Sequence, residues 1–229
     1  HLVKLIPNSG NIIYYQDDEN TLDVLSKAAY SNLIAINADN ININISTKEL
    51  KVDDMTYSLE DLPLIGVHNL KNYVCAILAA QIDGIEISDS IDSLKSFLGV
   101  KRRMEKIVEI DGIKIYDDFA HHPTAIRLSS NALRNKHPQE KILGVIELGS
   151  NTMSSGYHDE DLLNSFESIN EALVLDAKVK YEGDNIFQSI DVLNDELIKR
   201  IKDYDIILIM TNRDSQKFIK PILESFEEK

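Results

Sequence analysis

Apolar and polar positions along the chain change their spacing several times, and each change marks an element. Leu70, Tyr73, Val74, Ile77, Leu78 and Ile82 recur three and four apart, which predicts a helix with one apolar face, ended by Gly84. Strict alternation over Ile41-Asn42-Ile43-Asn44-Ile45-Ser46 predicts a strand with one wet face. Short apolar runs at Asn11–Tyr15, Asn32–Asn37 and Leu64–Val67 read as further strands, and residues 48–62 as an edge strand or hairpin. Residues 1–6 read as a helix tail closed by the turn cluster Pro7-Asn8-Ser9-Gly10. Thr21 is placed to cap a helix running to Tyr30, and Ser88 a second running to Leu98.

Gly99 breaks the pattern, and the chain beyond it alternates regularly. Asp111-Gly112 between two alternating apolar runs predicts a tight hairpin. Helices are predicted over residues 124–136, 158–169, 188–202 and 215–226, and strands over 141–148, 172–175 and 205–210. Strands alternating with helices imply a mostly parallel sheet covered on both faces. Ligands of such sheets gather at the carboxyl ends of strands, where Asp117, Asp118, Gly149, Ser150, Asn151, Thr211 and Asn212 fall.

Composition narrows the function classes. The 229 residues allow one large domain or two modest ones. No apolar run approaches the roughly eighteen residues of a membrane span. A single cysteine, Cys75, excludes an internal disulfide and suits a reducing cytoplasm. The formal net charge of −14 opposes nucleic acid and anionic membranes, and solubility alone explains it. An anionic ligand would then need locally clustered Arg, Lys and N–H groups.

Such a cluster exists. The hairpin brings Arg102 and Arg103 back towards Asp117 and Asp118, and Pro123 places His121 and His122 at a helix N-terminus. A cationic pair, a carboxylate pair and two imidazoles on one corner suit a phosphate or carboxylate. The other reading is a solvated hinge whose charges pair with one another. Adjacent histidines without a third ligand at suitable spacing do not make a metal site.

Gly-Val-Lys-Arg-Arg-Met-Glu at 99–105 followed by Tyr-Asp-Asp-Phe-Ala-His-His-Pro-Thr-Ala-Ile at 116–126 resembles the Mur ligases, the ATP-dependent amide-bond-forming enzymes of peptidoglycan metabolism. Gly66-Val67-His68-Asn69-Leu70-Lys71-Asn72 is similar to their Gly-x-His-Asn-x-x-Asn segment. Ser150-Asn151-Thr152-Met153 is similar to a run in the branch that attaches a tripeptide to UDP-N-acetylmuramate. The resemblance implies an α/β chain: the remainder of a central ATPase domain over residues 1–98, then a Rossmann-like C-terminal domain over 99–229.

It also implies roles. Asn69 and Asn72 would meet adenine, Arg103 the ATP phosphates, and Asp118 the ribose side of the catalytic corner. His121 would face the γ-phosphate and the acyl phosphate, while His122 fixes the loop. Ser150, Asn151 and Thr152 would face the incoming peptide; Arg213, where the chain departs from the family pattern, could substitute as an anion contact by its own charge. Without the family pattern, Asn69 reads as a helix cap and residues 150–152 as an ordinary turn.

ATP and Mg²⁺ are the implied cofactors, with the Mg²⁺ ligands upstream. The chain contains no Gly-x-x-x-x-Gly-Lys-Ser/Thr loop. It therefore reads as the C-terminal part of a cytoplasmic ligase for UDP-N-acetylmuramate and L-Ala-γ-D-Glu-meso-diaminopimelate, inactive alone. Two departures keep rivals open. Leu148-Gly149 stand where the family has Pro-Arg, and Thr211-Asn212-Arg213-Asp214-Ser215 where it has a glycine-rich loop. One rival is a non-catalytic module that binds peptide or nucleotide. The other is a sister ligase that adds a single amino acid, such as L-alanine to UDP-N-acetylmuramate or glutamates to folate.

Overall fold

A computed structural model describes residues 2–28, 30–38, 40–148, 162, 164–177 and 181–227. The chain forms two compact units, His1–Leu98 and Gly99–Lys229.

In the first unit, β1 (Asn11–Tyr15) and β2 (Asn32–Ile36) pair in parallel and are joined by α1 (Glu19–Ala28). Asp18, rather than Thr21, caps α1: its Oδ1 accepts from the Asn20 and Thr21 amides at 3.2 and 3.4 Å. The alternating Asn-Ile segment gives β3 (Ile41–Asn44), with half-buried and exposed residues taking turns. With β4 (Glu49–Val52) and β5 (Met55–Ser58) it makes a three-stranded antiparallel sheet.

The run Leu64–Val67 is not a strand. α2 begins at Val67 and extends to Ile82. Gly66 makes the entry at φ 97°, a conformation few other residues tolerate, and its carbonyl accepts the Asn69 and Leu70 amides. α3 (Ile87–Lys95) starts after Glu86, one residue before the expected cap at Ser88, with no side-chain cap. Val74, Ile77 and Leu78 of α2 pack with Ile36, Leu50 and Leu59 into this unit's core.

The second unit is built on a six-stranded sheet. β6 (Glu105–Ile110) and β7 (Ile113–Asp118) form the expected hairpin, its Asp111 and Gly112 both at positive φ (52° and 83°). α4 (Pro123–Lys136) follows, then β8 (Ile142–Glu147) and β9 (Glu171–Leu175). A two-residue strand that periodicity does not show, β10 (Ile186–Phe187), leads to α5 (Ile190–Arg200). β11 (Ile206–Met210) and α6 (Gln216–Glu227) complete the unit.

The sheet order is β10-β9-β8-β11-β7-β6, parallel except for β6. Ile115, Val145, Leu173 and Ile209 present one apolar face to Leu193 and Leu197 of α5 and Phe218 and Ile222 of α6. α4 covers the opposite face, where its Ser129 reaches Asp118. Of the helix expected over residues 158–169, residues 158–161 and 163 lie outside the described residues; 162 and 164 are helical, 165–168 turns and 169–170 bends. Among the described residues no helix is long and apolar enough to cross a membrane.

Candidate functional site

The carboxyl ends of β7, β8 and β11 lie side by side. Met210 stands in register with Asp118 on one side and with Ile146 on the other. Residues just past these ends are the natural ligand positions of a parallel sheet. Successive residues of β7 point to opposite faces, so Asp117 and Asp118 diverge.

Asp118 faces α4. Its Oδ2 accepts from the Met104 amide at 2.7 Å, and its Oδ1 from the Ala120 amide at 2.8 Å and Ser129 Oγ at 3.0 Å. One carboxylate thus fastens the turn before β6, the turn after β7 and α4.

Asp117 faces α6. Its Oδ2 accepts from Ser215 Oγ at 2.6 Å and Arg102 Nε at 3.3 Å, while among the described residues its buried Oδ1 has no hydrogen-bond partner. Burial raises its pKa above the ordinary aspartate value, and Ser215 and Arg102 pull the other way.

The two arginines divide their work. Arg102 donates from Nη2 to the Thr211 carbonyl at 2.6 Å as well as to Asp117, and its own amide donates to Glu105 at 2.8 Å. It is the inward, structural member. Arg103 is exposed, and among the described residues no hydrogen bond or ion pair engages its guanidinium, which lies 5.9 Å from the Phe119 ring.

His121 sits across the same ring, centroids 5.3 Å apart and nearly perpendicular. Its Nδ1 is 2.9 Å from the Phe119 carbonyl. A carbonyl only accepts, so the neutral imidazole carries its proton on Nδ1 and presents a basic Nε2. His122 stands at the N-cap of α4, its carbonyl accepting from the Ile126 amide at 2.9 Å.

A third acid completes the corner, and the sequence reading missed it. Glu147, buried at the end of β8, accepts from Thr211 Oγ1 and Lys217 Nζ, each at 2.5 Å, with Arg213 Nη1 at 3.7 Å. A charged residue closing an apolar parallel strand was the available signal. Lys217, seventy positions away, gave none.

Ser150, Asn151 and Thr152 lie outside the described residues. In the first unit, Asn69 is buried on the first turn of α2 and donates from Nδ2 to the Ile65 carbonyl at 2.8 Å. Asn72, one turn on, is exposed. Asn69 is an interior helix residue here, not the cap.

An exposed guanidinium beside the proline-led N-terminus of a 14-residue helix suits a polyphosphate, and His121 Nε2 would donate to a phosphate oxygen only in the protonated imidazolium. The carboxylates do not suit Mg²⁺, since Asp118 is taken up by N–H and O–H donors and Asp117 is held by Arg102 and Ser215.

This α/β unit, with its charged corner at the strand ends, belongs to a class of ligases. Residues 102–213 match the family described as Mur ligase, glutamate ligase domain, and the chain belongs to the Mur ligase family. Among its relatives is the UDP-N-acetylmuramate–L-alanyl-γ-D-glutamyl-meso-2,6-diaminoheptandioate ligase of Escherichia coli, 31% identical across 93% of this chain and 50% of that protein. The UDP-N-acetylmuramate–L-alanine ligase of Clostridium acetobutylicum is 34% identical across 80% of this chain and 41% of that protein. In fold the chain is similar to a murein peptide ligase from Psychrobacter arcticus, with a TM-score of 0.74 and 24% identity over 100% of this chain and 53% of the other. The chain spans about half the length of the curated relatives it matches.

Proposed function

We propose that this chain is the C-terminal portion of an ATP-dependent ligase that joins L-Ala-γ-D-Glu-meso-diaminopimelate to UDP-N-acetylmuramate during peptidoglycan recycling. In that reaction the lactyl carboxylate of the sugar acid is activated as an acyl phosphate at the expense of ATP. The tripeptide amine then displaces phosphate, leaving an amide. Residues 1–98 would be what remains of the ATP-binding domain and residues 99–229 the peptide-side domain.

One observation supports this reading most. Arg103 and His121 present a guanidinium and an Nε2 outward, while Arg102, Asp117 and Asp118 beneath them are spent on the fold. Arg103 would take phosphate oxygens through its planar fork. His121 Nε2 would accept a proton, or return one to a phosphate oxygen. Asn69 and Asn72 would meet the adenine, Asp118 would hold the corner on the ribose side, and Ser150, Asn151, Thr152 and Arg213 would face the peptide. Mg²⁺ would neutralise phosphate charge through ligands outside this chain.

The test is phosphate release from ATP by the protein extended upstream to include a phosphate-binding loop. Release is expected only when UDP-N-acetylmuramate and the tripeptide are both present, and to be lost in Arg103→Met. Residues 1–229 alone should not turn over, and turnover by them contradicts the proposal. A second reading draws on the likeness to an L-alanine ligase. It is chosen if L-alanine, and not the tripeptide, supports release.

A further inference from the structure

The Phe119 side chain is 36% exposed, yet three functional groups converge on it. The Arg102 guanidinium carbon lies 5.2 Å from the ring centroid, that of Arg103 5.9 Å, and the His121 ring centroid 5.3 Å at 79°. The backbone of the same residue is engaged as well. Its amide donates to the Arg102 carbonyl at 2.9 Å, and its carbonyl accepts from His121 Nδ1 at 2.9 Å.

We propose that Phe119 is a positioning residue for polyphosphate binding, its ring holding the Arg103 guanidinium and the His121 imidazole at one place above an Arg102 clasp. The inference rests on the reading of Arg103 and His121 as phosphate-facing. An exposed arginine carries rotamer entropy that any ligand contact must overcome. A guanidinium already resting on an aromatic face has lost part of that freedom before the ligand arrives.

The floor beneath the ring is fixed by strain and its compensation. Arg102 and Met104 adopt φ of 59° and 51°, a left-handed conformation that is unfavourable for a residue with a side chain. Glu105 and Asp118 hold their two amides, and Asp117 and the Thr211 carbonyl hold the Arg102 head. Non-glycine residues kept in such conformations by the surrounding structure gather where geometry matters.

The test uses inorganic tripolyphosphate, which has no base to stack, in calorimetric titrations of the whole chain. Phe119→Leu is expected to weaken binding about threefold to tenfold, the worth of one or two cation–ring contacts. Phe119→Tyr should restore wild-type affinity, and both variants should melt with the parent. Should Phe119→Leu fail to fold, tripolyphosphate must still shift the Phe119 ring resonances in the wild type, and unmoved resonances overturn the proposal.

Arg103→Met separates the two layers. If it leaves binding intact, or if the wild type binds nothing, the phosphate reading fails and the inference with it. If Arg103→Met weakens binding and Phe119→Leu does not, only the role of the ring is overturned. Loss confined to ADP in Phe119→Leu would make the ring a base platform, and that also overturns the proposal.

Discussion

Asp118 accepts from two backbone amides and one hydroxyl, drawn from three segments that meet at the end of β7. Removing the carboxylate leaves those donors without an acceptor in a largely dry place. Asp118→Ala is therefore expected to lower stability by about 2–4 kcal/mol in urea titrations. An unchanged midpoint would show the three bonds to be idle. At this scale the sequence was partly legible: Arg102 and Arg103 were read with Asp117 and Asp118 as one charged corner, and the structure sends Arg102 in and Arg103 out. Glu147 left only the faint signal of a charge closing an apolar strand, because its importance depends on Thr211 and Lys217, brought to it by the sheet and α6.

Elements followed the periodicity where it was unambiguous and departed where a single backbone angle decided. Asp111-Gly112 made the expected hairpin because both residues accept positive φ. Leu64-Ile65-Gly66-Val67 is too short a run to distinguish a strand from the approach to a helix, and Gly66 at φ 97° settles it as the approach. β10 has two residues and no period to read.

Away from the candidate site, one network ties β9 to α5 and the turn before β11. Glu171 accepts from Tyr204, Arg200 and Asn185, and Arg200 also pairs with Glu196. The Tyr204 bond foremost, with Asn185 and Arg200, lowers the Glu171 pKa from its ordinary 4.5. A lowered carboxylate pKa contributes stability that is present above the unfolded value and lost as pH falls through the folded one. Glu171→Gln should therefore be less stable than wild type at neutral pH, with the gap closing as pH drops below about 4.5. Parallel pH–stability curves would contradict this.

On the scale of the whole molecule, the chain is two units, each with its own core, and about half of a larger relative. Its charge of −14 gives no long-range attraction for a nucleotide or a muramyl acid. Under the proposed function, binding has to come from local arrangement at the strand-end corner. Class and family were legible because contiguous motifs hold the corner. The part played by Glu147 was not, because it acts through Thr211 and Lys217, distant in sequence.

Adding MgADP to the isotopically labelled chain and following its side-chain resonances tests the central claim most directly. The account predicts saturable shifts at Arg103, Phe119 and His121 in the second unit and at Asn69 and Asn72 in the first. Saturable shifts that spare Arg103 and His121 would contradict it.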